Sequence, residues 1–160
     1  MIRIPALFAA FLAAAACTSS PAPPAAGAVR GAGPVEAAAG GGLPAQRLAP
    51  GECGLFLWSV TAPRTFVFFA RAASGTAELW YDEKVATLLE VDAYGDIFGQ
   101  FLTASEYVSR EGHLEVSLTF RPGERLEQGQ RVEAGRLVIR GRDGWERVQP
   151  VSGVSACLSG

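Results

Sequence analysis

The side chains able to do chemistry crowd one stretch of this 160-residue chain: Asp82, Glu83, Glu90, Asp92 and Asp96. Asp92 and Asp96 flank Tyr94 and Gly95 in a short segment that reads as a turn. Two carboxylates around a glycine turn offer the oxygen ligands that Ca²⁺ takes, but that ion wants about six to eight of them. The segment is too short for an EF-hand loop and lacks its alternating ligands and terminal glutamate. A glycoside-hydrolase acid/base pair can be drawn from the same residues, as it can in any acidic protein. The reading they support best is a solvated loop with aspartate as turn former. His113 is the only histidine, so a histidine-rich zinc site is excluded by count. A Ser-His-Asp set would have to use His113, with no serine to nominate; it falls on the polar side of a strand and reads as exposed. Neither a metal nor a cofactor is expected.

Two other segments are candidates for binding rather than catalysis. Tyr94, Phe98 and Phe101 lie in a stretch broken by Gly95 and Gly99. Such a stretch is either a plug closing a barrel end or a binding loop. Ile97, Phe98 and Phe101 are too apolar to leave in water as a group, which favours the plug. Ser74-Gly75 forms a turn and, with Asp92, Tyr94 and Asp96, makes up the candidate binding loops. Trp58, Trp80 and Trp145 read as core or rim packing. No phosphate loop, dinucleotide fingerprint, nucleophile elbow or basic aromatic surface is present. Fourteen cations against sixteen carboxylates give a net charge of -2, which offers no electrostatic case for nucleic acid.

The N-terminus carries an address. Arg3 precedes an apolar run, residues 4–16, that ends in small residues, the pattern of a secretory signal peptide at 1–16. The run is shorter than the roughly 20 residues a membrane-crossing helix needs. Ala14-Ala15-Ala16-Cys17 resembles a bacterial lipobox. The resemblance implies diacylglycerol on the Cys17 sulfur and an acyl chain on its new amino group. Thr18-Ser19-Ser20 places no aspartate after Cys17, which by the same resemblance implies the outer membrane, facing the periplasm. A plain secretory signal cut at Ala-x-Ala is the alternative. With Cys17 given to lipid, Cys53 and Cys157 remain, and outside the cytoplasm an even pair in a small domain is normally a disulfide. A redox or metal thiol pair is the runner-up, disfavoured by the absence of Cys-x-x-Cys spacing.

These residues need a scaffold to hold them. Residues 17–50 are the lipidated cysteine and an Ala/Pro/Gly stretch with few large apolar side chains, expected to be a disordered tether averaging about 30 Å end to end. Residues 51–160 change composition abruptly and carry short strands punctuated by Gly and Pro. Leu114, Val116, Leu118 and Phe120 alternate with polar residues, so one face is core and the other wet. Residues 136–140 alternate likewise. Residues 53–58 and 65–70 are apolar on both faces, so either both faces are covered or one is an exposed patch. Residues 76–81 and 84–91 read as a pair joined at Asp82-Glu83, although 84–91 also fits a short helix. Arg121-Pro122-Gly123-Glu124 reads as a turn, Asp143-Gly144 as a hairpin signal, and residues 154–158 as the last strand. About eight strands give an all-β fold, a small antiparallel barrel or sandwich tied by the disulfide. A bridge from Cys53 to Cys157 brings the first and last strands together, which favours the barrel.

A lipidated, disulfide-tied β head resembles the membrane-bound inhibitors of c-type lysozyme. In that family a Ser-Ala-Ser-Gly-like loop enters the lysozyme cleft, and Ala72-Ala73-Ser74-Gly75-Thr76 supplies Ser74-Gly75 as the matching pair. The chain also resembles the small envelope lipoproteins of Gram-negative bacteria. The expectation is a non-enzymatic binding or assembly module, anchored in the membrane by lipid, with an envelope protein or cell-wall partner. Lysozyme inhibition and cell-envelope hydrolysis are the alternatives.

Overall fold

A computed structural model describes residues 41–160; the expected signal peptide, Cys17 and most of the expected tether lie outside the described residues. Eight strands follow one another: β1 (Cys53–Ser59), β2 (Phe66–Arg71), β3 (Thr76–Tyr81), β4 (Lys84–Phe98), β5 (Phe101–Ser109), β6 (Leu114–Leu126), β7 (Gly129–Gly141) and β8 (Glu146–Cys157). Each pairs antiparallel with the next, and β8 returns to β1, closing a barrel. No described residue is helical, so residues 84–91 are strand.

Alternation along the strands fills the interior, as expected for a barrel of about eight strands. Leu57, Phe68, Leu79, Leu88, Val116 and Leu137 have 0 % exposure, so the barrel centre is solid side chain. Phe68 meets Tyr107 edge-on at 5.4 Å, and Phe98 meets Phe120 edge-on at 5.0 Å. The expected plug is therefore half realised. Phe98 and Phe101 enter the core, but Ile97 on the other side of the strand is 83 % exposed.

Closure is stapled where it begins. β1 and β8 pair in register from Cys53 opposite Cys157 to Ser59 opposite Val151. The Cys53–Cys157 disulfide joins the first of these pairs, with Cα atoms 4.0 Å apart across 104 positions of sequence.

Residues 41–50, expected as the end of the tether, are a strap on the barrel wall. Leu43 donates its N–H to the Phe66 carbonyl at 2.7 Å and is 2 % exposed. Gln46 donates to Glu78 at 2.8 Å. Leu48 converges with Phe56 and Phe69 over Gly54, where a Cβ would have no room. The outer apolar face of β1 and β2 is thus covered by the chain itself. Phe56, Trp58, Phe66 and Phe69 stack there with centroids 4.9 to 6.1 Å apart.

Arg71 fastens the strap. It pairs with Glu52 at 2.8 Å, donates to the Arg47 carbonyl and lies over the Phe69 ring. The Ala49 N–H, and secondarily Arg71, hold the Glu52 carboxyl below its ordinary value of about 4.5. A depressed carboxylate stabilises the fold above that ordinary value and loses its contribution as pH falls through the lowered one. Glu52→Gln is therefore expected to cost about 1 kcal/mol near pH 7 and to flatten the acid limb of stability below pH ~4.5. Urea unfolding at stepped pH measures both effects.

Two other expectations are corrected. Arg121-Pro122-Gly123-Glu124 is not a turn; it lies inside β6, whose register against β7 shifts on both sides of Pro122. Beyond Thr119, β6 pairs with β7 alone, so a proline lacking its N–H fits that edge. The last strand begins at Glu146 rather than near Val154. The pair joined at Asp82-Glu83 forms as expected, with both residues at positive φ, 47° and 61°.

Candidate functional site

Uneven strand lengths make one part of the wall unlike the rest. β3 starts at Thr76, opposite Leu89, so β4 has no β3 partner from Glu90 to Phe98. β5 meets β6 only from Ala104 onwards. The residues from Glu90 through the Gly99-Gln100 turn to Thr103 thus form a two-stranded arm that no third strand flanks among the described residues.

Two irregularities shape the arm. Register against β5 shifts between Glu90 and Asp92 and again between Tyr94 and Ile97. At the second shift Gly95 takes φ 91°, and the Asp96 N–H donates to Thr103 Oγ1 at 2.9 Å. A Cβ at Gly95 would collide with that same hydroxyl. The segment expected as an Asp92–Asp96 turn is therefore bulged strand, which removes the loop on which a Ca²⁺ reading rested. Among the described residues, no three of His, Cys, Asp and Glu are grouped to hold a metal ion.

The arm leaves apolar side chains in water. Val91 is 59 % exposed, Tyr94 49 % and Ile97 83 %, with Leu89 exposed just above them. Carboxylates lie among them: Glu90, Asp92 and Asp96 on β4, and Glu106 opposite Asp92 on β5. Tyr94 donates its hydroxyl to Glu106 at 3.1 Å, and Ser117 donates to the other oxygen of the same carboxylate. That bond to Glu106 pushes the Tyr94 phenol above its ordinary value. Tyr107 donates to Glu90 at 3.2 Å from inside the barrel, and burial pushes its own phenol well up. Both tyrosines thus serve as proton donors holding carboxylates in place at neutral pH.

The Ser74-Gly75 turn abuts the top of this arm. Gly75, at φ 58°, accepts the Glu90 N–H at 2.8 Å, and Ser74 shares a hydrogen bond with Thr76 at 2.6 Å. The nominated residues Ser74, Gly75, Asp92, Tyr94 and Asp96 therefore follow one another along one edge. Ile97, Val91 and Glu106 join them unannounced. His113 stands apart, exposed just before β6, with its N–H on Ser109 Oγ. Trp145, expected to pack, is 79 % exposed in the β7–β8 turn.

Compared with family models, curated proteins and solved structures, the chain finds no match.

Proposed function

We propose that this chain is a lipid-anchored envelope protein whose β head is a non-enzymatic binding or assembly module, held at Cys17 to the outer membrane and facing the periplasm. The observation that carries the reading is the β4–β5 arm. A barrel whose centre is filled has its recognition surface outside, and the arm combines exposed Val91, Tyr94 and Ile97 with unflanked strand. Exposed apolar side chains clustered on one element mark interaction sites more often than scattered ones do. The sequence of Ala14 to Cys17 supports the anchor, since several acyl chains hold a protein firmly at a membrane.

Affinity capture from envelope extracts tests the module. The wild-type chain should retain a partner that Ile97→Ser loses, while Trp145→Ser keeps it. Retention of nothing, or of the same set by all three, sinks the reading. Mass spectrometry of the mature N-terminus tests the anchor; an unmodified residue there contradicts it.

The second reading is inhibition of c-type lysozyme. It is favoured by the exposed Ser74 turn with Gly75 in the left-handed region. It predicts near-stoichiometric suppression of lysozyme, lost in Ser74→Ala.

A further inference from the structure

Resting on the module reading, we infer that the β4 edge takes an extended, cationic segment of a partner protein as an added strand. Charge distribution selects this occupant. Residues 85–109 hold Glu90, Asp92, Asp96 and Glu106 and not one Lys or Arg. The whole chain is -2, so everything outside that stretch is +2. The net negative charge of the chain thus falls within residues 85–109, beside the exposed apolar side chains of the arm.

An open recess adjoins the edge. Between the β2–β3 turn and the arm lies a cleft of about 330 Å³, lined by Ala72, Glu90, Ala93, Ile97 and Phe101. Its lining includes Glu90, the first residue of β4 beyond its pairing with β3, and reaches the Gly99-Gln100 turn. Strand addition satisfies backbone groups along such an edge, while side chains at alternate positions set the specificity. Here one set of alternate positions would lie against Tyr94 and Ile97. Lys or Arg in that same set would meet Asp92 and Glu106, which share the face of Tyr94, while Glu90 lies on the opposite face beside Tyr107.

A second copy fits worse. Antiparallel pairing of two β4 edges would set these carboxylates against their own counterparts, and like charges across a strand pair destabilise it. Residues 18–40 of the same chain also fit worse, since Arg30 is the only cation among them.

The test uses the full chain and a labelled nonapeptide of alternating arginine and valine, followed by fluorescence anisotropy. Saturable binding is expected, weakened about tenfold by the combined change Asp92→Asn and Glu106→Gln. A peptide with two consecutive prolines between successive arginines keeps the arginines but lacks N–H groups along both of its edges, so it cannot pair as a strand and should not bind. Equal binding of the proline peptide, or indifference to the double change, overturns the inference. So does a concentration-dependent dimer of the chain that Ile97→Ser abolishes. If the peptide fails while envelope capture still returns a partner lost in Ile97→Ser, this inference falls and the module reading stands.

Discussion

Replacing both Cys53 and Cys157 by alanine is expected to lower stability by about 4 kcal/mol. The bond closes 104 positions of chain, and cross-linking a loop of about 100 residues restricts the unfolded ensemble by up to about 4.7 kcal/mol in the chain-entropy view. It also sits on the one seam that sequence neighbours cannot make. Seven strand pairings join consecutive elements, whereas β1 and β8 must find each other across the whole domain. A loss of that size lowers the melting midpoint by roughly 15 °C or more in a domain of this length. Thermal unfolding of the double variant, and of the wild type under reductant, measures it. A difference within about 1 kcal/mol would mean the β1–β8 ladder closes the barrel unaided.

Gly153→Ala should cost about 3 kcal/mol or more by a different route. Gly153 pairs with Leu57 on one side and Val132 on the other. A Cβ there would fall on the Phe56 carbonyl oxygen, with the Leu57 Cα 3.0 Å away. These are backbone atoms, so β8 must pull away from β1, and overpacking of this kind commonly costs about 1–3 kcal/mol, sometimes more. Gly129→Ala meets the Ser155 carbonyl in the same way. Gly144→Ala is the control, with φ 77° and nothing within 4 Å of the new methyl. It should cost about 1 kcal/mol, all from backbone conformation. Chemical denaturation of the three variants distinguishes crowding from conformational strain. Equal losses at Gly153 and Gly144 would refute the crowding.

The strands that could be read from sequence are those whose pattern is local. Leu114, Val116, Leu118 and Phe120 announce β6 by alternation alone, and Asp143-Gly144 announces the last hairpin. The Cys53–Cys157 bond followed from counting cysteines once Cys17 was set aside for lipid on its resemblance to a lipobox. Where reading failed, tertiary context decided. Pro122 and Gly123 look like a turn in isolation. They lie within a strand because only β7 flanks that stretch, so the missing N–H faces no neighbour. Pro150 hid the first half of β8 similarly. Residues 41–50 resemble tether because Leu43 and Leu48 are isolated among small residues. They are held because β1 and β2 present an outer apolar face that needs covering. Asp92, Tyr94 and Asp96 were singled out as a loop; they belong to a strand whose exposure comes from where β3 begins, and no local pattern records that. Ile97 was grouped with Phe98 and Phe101 by composition, and strand phase then turned it outwards.

Amide hydrogen exchange on the full chain, with and without the arginine–valine peptide, tests most directly the claim that this head recognises partners along its β4 edge. Protection should rise across residues 90–98, with the β1–β8 seam and the β7–β8 turn at Trp145 unchanged. Protection at that turn instead, or none at residues 90–98 under saturating peptide, would contradict it.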